Sequence, residues 1–187
     1  MTSTIVISTY NGEKYIIEQL NSLKDQTLFP DYVLISDDCS TDSTPQIIKD
    51  YIKDNNLKNW TFEQNKENQG WRKNFHNLLL KANTDVIFLC DQDDIWHPKK
   101  LEIMMPYFNN PEINLLCCNQ KIKKDNFNFD FYKENNKTAV QKKFTNKFMW
   151  PTRPGCAYAV RKEYFLSIDK WWVDYLPHDA FLFRNAM

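Results

Sequence analysis

The sequence has little of what marks membrane-spanning and nucleic-acid-binding proteins. Its 187 residues include only three glycines, and 24 basic side chains balance 24 acidic ones, so the formal net charge is zero. A neutral chain creates no long-range field that would favour nucleic acid or an anionic membrane. No window approaches the roughly 20 apolar residues that a membrane-spanning helix requires. We therefore predict a globular protein that does not bind nucleic acid.

The cysteines have neither metal-site nor disulfide spacing. Their number, five, is odd, no pair is spaced Cys-x-x-Cys, and Cys117 and Cys118 are adjacent. This pattern suits neither a structural zinc site nor a disulfide framework. Residues 1–14 contain a short apolar run without a basic leader, which predicts a strand rather than a signal peptide. We expect a cytoplasmic protein with reduced thiols.

Short apolar runs alternate with amphipathic segments along most of the chain. Strands are predicted at residues 3–9, 31–36, 59–65, 85–90 and 113–119. The segments between them have apolar residues at helical spacing. A 42% hydrophobic content is enough for the core of one domain. Strands alternating with helices predict an α/β fold with a mostly parallel central sheet flanked by helices.

Two C-terminal regions depart from this alternation. Residues 121–147 mix aromatic, Asn and Lys residues, which predicts a solvated antiparallel excursion or a mobile loop, with a flap facing an acceptor or partner as the alternative. Residues 153–165 predict a turn, a strand and a short helix, and another helix is expected from His178.

Polar clusters follow three of the predicted strands, at residues 8–11, 37–42 and 91–94. The carboxyl ends of parallel strands meet at one edge of the sheet, where ligands bind in α/β proteins. We therefore expect the three clusters to converge on one site.

The cluster DQDD at residues 91–94 places three carboxylates directly after an apolar strand. On an extended strand end, Asp91 and Asp93 would point the same way and could approach one hard divalent cation, which would offset their repulsion. Asp94 either belongs to this site or caps the helix near Pro98. The alternative for the whole cluster is an acidic surface turn.

The second cluster offers a different chemistry. A carboxylate at Asp37 or Asp38 could accept the imide N–H of a uracil or thymine ring. Asp42 is interpreted as a turn residue, and Thr44, which precedes Pro45, as a helix N-cap.

Four segments, in their order and spacing, resemble the family-two glycosyltransferases. They read VISTYNGEKYIIEQLNSLKDQT, ISDDCSTDST, NQGWRKNFHNLL and FLCDQDDIWHPKKL. Near the C-terminus, GCAYAVRKE and HDAFLFR resemble the acceptor-side segments of that family. The resemblance covers the chain apart from residues 121–147, and DQDDIW is similar to the rhamnosyltransferase-like branch. It implies inverting enzymes with the GT-A fold, a Rossmann-like α/β fold that binds nucleotide sugars.

The resemblance also implies roles for individual residues. Asp179 would be the general base, and Asp93 would bind a Mg²⁺ or Mn²⁺ ion that bridges the diphosphate. The implied nucleotide-binding residues are Ser8, Tyr10, Asp38, Arg72 and Asp91. His178 stands where the family usually has an acid, so it either contacts the acceptor or caps a helix. Independently of the resemblance, the aromatic faces of Trp171 and Trp172 could stack on an acceptor sugar, while one of the two is expected to lie in the core.

The resemblance implies one catalytic domain over residues 1–187, with a nucleotide-binding half at 1–95 and an acceptor-side half at 96–187. The family usually continues further beyond the Asp179 position, so we expect a C-terminally truncated domain. The implied activity is metal-dependent, inverting transfer from a UDP- or dTDP-sugar to a hydroxyl of cell-surface polysaccharide or lipid-linked oligosaccharide. A lipid-linked acceptor would bring the enzyme to the inner face of the plasma membrane as a peripheral protein.

Two other functions compete with this interpretation. A sugar-nucleotide nucleotidylyltransferase would need a Gly-rich loop with Arg and Lys after the first strand, but residues 8–15 contain one glycine and no arginine. A truncated or non-catalytic domain that binds nucleotide sugar without turnover stays open.

Overall fold

The computed structural model describes residues 1–119 and 155–186, so the prediction for residues 121–147 lies outside the described residues. The strands are β1 (Ser3–Thr9), β2 (Tyr32–Asp37), β3 (Trp60–Gln64), β4 (Val86–Asp91), β5 (Leu115–Cys117) and β6 (Tyr158–Arg161). The α-helices are α1 (Ile16–Lys24), α2 (Thr44–Asp54), α3 (Trp71–Lys81), α4 (Lys100–Met104), α5 (Lys162–Ile168) and α6 (His178–Asn185). Short 3₁₀ helices lie at Met105–Asn109, Gly155–Ala157 and Asp169–Trp171.

The strands form one mixed sheet in the order β3-β2-β1-β4-β6-β5. The pairs of β1 with β2, β1 with β4, and β2 with β3 are parallel. Strand β6 runs antiparallel to both β4 and β5, between which it lies. The predicted α/β class with a mostly parallel central sheet is confirmed, and β6 supplies its antiparallel part.

Successive strand residues point to opposite faces of the sheet, and helices cover both faces. In β1 all seven residues are buried. Ile5 and Ile7 pack in one core cluster with apolar residues of α1, α2 and α4, whereas Val6 packs in a second cluster with α3, α5 and α6. A strand enclosed by two helix layers buries both of its faces, which explains why Ile5, Val6 and Ile7 are consecutive apolar residues rather than alternating with polar ones.

The structure corrects the sequence predictions for the N-caps of two helices. Ser43, not Thr44, is the N-cap of α2, and the Thr44 hydroxyl instead donates to Asp42 at 2.6 Å and accepts the Gly12 N–H at 2.8 Å. Lys99 is the N-cap of α4, so the suggestion that Asp94 caps this helix is wrong. The Thr44 side chain is therefore held by residues of the loops at the sheet edge.

The sheet register aligns the ends of the strands that precede the polar clusters. Thr9 of β1 lies opposite Asp37 of β2, and Ser8 lies opposite Asp91 of β4. From β1 the chain runs to β2 on one side, while β4 lies on the other, so the crevice between β1 and β4 is the topological switch point. No helix in the described residues has both the length and the apolar character needed to cross a bilayer.

Candidate active site

A cavity of about 850 Å³ opens at the carboxyl edge of the sheet. Seven of the nine residues singled out from the sequence line it: Ser8, Tyr10, Asp38, Asp91, Asp93, His178 and Asp179. Three of the contributing loops are called here the first loop (residues 10–15, after β1), the second loop (38–43, after β2) and the acid loop (91–94, at the end of β4). The predicted convergence of the polar clusters is therefore observed.

Arg72 and Trp171 are not part of the cavity wall. The Arg72 guanidinium stacks on the Trp71 ring, 4.3 Å from its centroid, and its charge acts on both His178 and Asp179. Trp171 is 56% exposed on a 3₁₀ helix, whereas Trp172 packs against Phe181. Arg72 thus lies beside the site, and the acceptor role of Trp171 stays a prediction.

Asp38 is buried and organises the loop that precedes α3. Its carboxylate accepts hydrogen bonds from the Asn65 side chain at 2.9 Å and from the backbone N–H groups of Gln69 and Gly70 at 2.9 and 2.8 Å. Gly70 has φ 84°, a conformation that favours glycine. A carboxylate has about four acceptor positions, so Asp38 keeps capacity for one further donor from a ligand.

Asn74 is fully buried, and beyond the helix-packing position that the resemblance implied for it, it makes hydrogen bonds that were not predicted. Its amide nitrogen donates to Ser8 Oγ and to the Ser36 carbonyl, both at 2.8 Å. Its amide oxygen accepts from Ser36 Oγ at 2.6 Å and from Asn65 at 3.1 Å. The Asn74 side chain, whose amide oxygen and nitrogen are both hydrogen-bonded, therefore fixes the ends of β1 and β2, including the cavity-lining Ser8.

The acid loop departs from the extended geometry expected for it. Strand β4 ends at Asp91, and residues 92 and 93 form a turn. Because of this turn, ligand atoms of Asp91, Asp94 and Cys156 lie within 4.8 Å of one another, while Asp93 is exposed to the cavity. Of the two possibilities left open for Asp94, the structure therefore favours its place beside Asp91 in this cluster.

The electrostatics of this cluster favour a bound cation. Burial raises the pKa of Asp91 to about 6, and the Asp94 and Asp93 carboxylates add to this effect. Asp94 Oδ2 is buried and has no hydrogen-bond partner among the described residues. Burial also raises the pKa of the Cys156 thiol, so the protonated thiol is a poor ligand and the carboxylates are the effective donors. Carboxylate oxygens suit a hard ion such as Mg²⁺ or Mn²⁺.

Two residues at the start of α6 complete the cavity. Asp179 is partly buried, which raises the pKa of its carboxyl, and the Ala180 N–H donates to it at 2.7 Å. A raised pKa makes a carboxylate a stronger base. In the described structure Asp179 is therefore the group at this end of the cavity best suited to accept a proton.

His178, which precedes Asp179 in α6, has a buried, neutral ring. Its ring lies 4.2 Å from that of Phe75 and 5.5 Å from that of Trp71, centroid to centroid. Burial, assisted by the Arg72 charge, lowers its pKa to about 3. Neither ring nitrogen has a hydrogen-bond partner in the described structure, and the N-cap of α6 is Pro177, so the suggestion that His178 caps this helix is wrong. Contact with an acceptor stays a prediction.

Proteins with similar sequences include two bacterial glycosyltransferases. The chain is 31% identical over 197 residues to the dTDP-rhamnosyl transferase RfbG of Shigella flexneri, covering 96% of this chain and 64% of that protein. It is 34% identical over 124 residues to the poly(ribitol-phosphate) β-N-acetylglucosaminyltransferase TarS of Staphylococcus aureus, covering 65% of this chain and 21% of that protein. The chain therefore spans less than two thirds of the length of either relative.

Solved structures share the fold. Residues 1–349 of S. aureus TarS in complex with UDP align with a TM-score of 0.71 at 23% identity, covering 99% of this chain and 54% of that one. A mannosyltransferase of Pyrobaculum calidifontis in complex with GDP-Man and Mn²⁺ aligns with a TM-score of 0.73 at 19% identity, covering 96% and 49%. These are GT-A structures, as the resemblance implied. The family model Glycosyl transferase family 2 matches residues 4–168, and the chain belongs to that family.

Proposed function

We propose that this chain transfers a sugar from a UDP- or dTDP-linked donor to a hydroxyl group of a saccharide, with inversion at the anomeric carbon. One observation carries the proposal: a carboxyl group suited to accept a proton and an acid loop suited to hold a metal diphosphate line the same cavity. The two are near enough for the Asp179 charge to contribute to the raised pKa of Asp91. The name of one relative, a dTDP-rhamnosyl transferase, and the structure of TarS in complex with UDP-GlcNAc support this class of donor.

The donor would lie along the carboxyl edge of the sheet. Tyr10, 45% exposed on the rim, offers a ring for base stacking, and Asp38 has capacity for the imide N–H that uracil and thymine share. Ser8, Asp91 and Arg72 would contact the ribose and diphosphate. This arrangement would bind UDP-sugars and dTDP-sugars equally well, because uracil and thymine present the same imide.

A Mg²⁺ or Mn²⁺ ion would be held at the acid loop by Asp93, with Asp91 and Asp94 as the neighbouring carboxylates. The unpartnered Asp94 oxygen and the raised pKa of Asp91 are the observations that support a cation there. When bound, such an ion neutralises charge on a departing diphosphate. The Mn²⁺ in the structure of the Pyrobaculum mannosyltransferase is consistent with this proposal.

The protein's own chemical step is proton removal from the acceptor. As the acceptor oxygen bonds to the anomeric carbon, the bond from that carbon to the diphosphate oxygen breaks, and the electron pair leaves with the nucleotide. Asp179 takes the hydroxyl proton, for which it must lie within about 3 Å of the oxygen. Attack on the face opposite the leaving group inverts the anomeric carbon.

The acceptor would be a saccharide in cell-surface polysaccharide or lipid-linked oligosaccharide synthesis. His178 and Trp171 are the proposed acceptor-side residues. The division into a nucleotide half at 1–95 and an acceptor half at 96–187 is also a proposal, and so is a location on the inner face of the plasma membrane.

Donor hydrolysis and sugar transfer test this proposal. With UDP- and dTDP-sugars and Mn²⁺, we expect Asp179→Asn to lower turnover by about 100-fold or more, because general-base catalysis contributes about 10²–10⁴. Nucleotide affinity should stay within about threefold. The matched control is Asp54→Asn, an exposed change at the end of α2 that should leave turnover unchanged.

Two results would count against it. Equal turnover by wild type and Asp179→Asn would show that Asp179 is not the base. Nucleotide binding by the wild type without hydrolysis or transfer for any donor would favour the non-catalytic binding domain.

A further inference from the structure

Gln92 lies between two carboxylates of the acid loop, and its side chain crosses the switch-point crevice to the first loop. Its amide oxygen accepts the Tyr10 N–H at 2.9 Å, and its amide nitrogen donates to the Tyr10 carbonyl at 3.0 Å. An amide side chain presents a donor and an acceptor side by side, so it can pair with one residue's backbone as a strand would. We call this pair of hydrogen bonds the clasp.

The opposite side of the first loop is tied to the second loop. The Asn11 N–H donates to Ser40 Oγ at 2.8 Å, and the Thr41 N–H donates to the Asn11 side chain at 2.9 Å. The Gly12 N–H donates to Thr44 Oγ1 at 2.8 Å. The clasp therefore connects the acid loop, through the first loop, to the second loop.

Gly12 makes room for the clasp. A Cβ atom at this position would overlap the Gln92 amide, with the Gln92 Cδ atom at 2.7 Å and Nε2 at 3.2 Å. All three of its nearest atoms belong to Gln92, so a larger residue there would first have to displace the Gln92 amide. In a chain with three glycines, this one is explained by the close approach of Gln92.

We propose that Gln92 is a positioning residue for the nucleotide donor. It holds the Tyr10 backbone against the acid loop, so the surface for the nucleoside and the carboxylates for the metal diphosphate are fixed relative to each other before a donor binds. A ligand that touches both loops then binds without ordering them, which raises affinity. This inference rests on the proposed function, because it assumes a nucleoside diphosphate in this cavity.

The first test measures the clasp without any ligand. In Gln92→Met, which has similar length but cannot form the hydrogen bonds, the Tyr10 amide should exchange with solvent at least about tenfold faster by hydrogen-exchange NMR. Gln92→Glu keeps the acceptor and loses the donor, so its exchange should be intermediate. Gln46→Met, an exposed change on α2, is the matched control and should leave the exchange unchanged. Unchanged exchange in Gln92→Met would overturn the proposal.

The second test measures the effect on binding. By calorimetry with UDP or dTDP and Mn²⁺, we expect Gln92→Met to raise Kd about tenfold. A Kd within twofold of wild type would overturn the positioning role alone and leave the proposed function intact. If the wild type binds neither nucleotide, the proposed function fails and the positioning role fails with it.

A double-mutant cycle separates positioning from general destabilisation. Gly12→Ala should weaken UDP binding when Gln92 is present, because the new methyl group displaces the amide. In a Gln92→Ala background that obstacle is gone, so adding Gly12→Ala should cost no further affinity. Additive losses in the cycle would contradict the clasp, since they would show that the two residues act independently.

Discussion

His178 shows how one buried side chain links the site to the stability of the fold. A histidine that is 4% exposed, enclosed by aromatic rings and next to Arg72, is kept neutral because its charged form loses solvation and is repelled. The folded protein therefore binds a proton at this position only near pH 3, whereas an unfolded imidazole binds one near pH 6.5.

This difference predicts a pH dependence. Between pH 6.5 and about 3 the unfolded state binds the extra proton, so the free energy of unfolding falls as the pH falls. From pH 7 to pH 5 the loss due to His178 should be about 2 kcal/mol. Urea unfolding at both pH values measures this loss. The free energy of unfolding should fall by about 2 kcal/mol more in the wild type than in His178→Asn. The exposed His97→Asn should behave as wild type. Equal losses in wild type and His178→Asn would contradict the buried neutral ring.

At the residue scale, the sequence predicted the side chains that stand directly after a strand or start a helix. Asp38 and Asp91 were singled out this way, whereas Asp179 was singled out only through the resemblance of its segment to the family. Gln92 was missed, and the resemblance assigned Asn74 only a helix-packing position, because no local pattern reveals that an amide will meet the distant backbone of Tyr10 or hydroxyl of Ser8. The sequence held only an indirect signal for Gln92. Because glycine is scarce, Gly12 was expected to have a structural reason, and that reason is the close approach of Gln92.

At the element scale, periodicity predicted the helices well because burial follows it. In α1, Ile16, Leu20 and Leu23 recur at helical spacing and are fully buried. The place of β6 between β4 and β5 could not be predicted, because the pairing of Phe88 with Ala159 joins segments that are far apart in the chain.

A substitution in α1 tests this interpretation of the core. Leu20→Ala should lower the free energy of unfolding by about 2–5 kcal/mol, because it removes a fully buried side chain and leaves a cavity. Ile17→Ala on the same helix, at a residue that is 42% exposed, should cost much less. Chemical denaturation measures both, and comparable losses would contradict the assigned orientation of the helix.

At the scale of the whole molecule, the parallel part of the sheet brings separate segments of the chain to one edge. The first, second and acid loops follow three strands, and α6 adds Asp179 from the far end of the chain. Solved structures with 19–23% identity share this fold, so the architecture does not depend on most individual residues. We expect the choice of donor to depend instead on the few side chains that line the cavity and on those that position them.

A crystal structure with UDP and Mn²⁺ tests the central claim most directly. The account predicts anomalous manganese density within about 2.3 Å of an acid-loop carboxylate, and the uracil ring between Tyr10 and Asp38. Manganese or nucleotide bound elsewhere, with the acid-loop carboxylates directed into bulk solvent at saturating Mn²⁺, would contradict it.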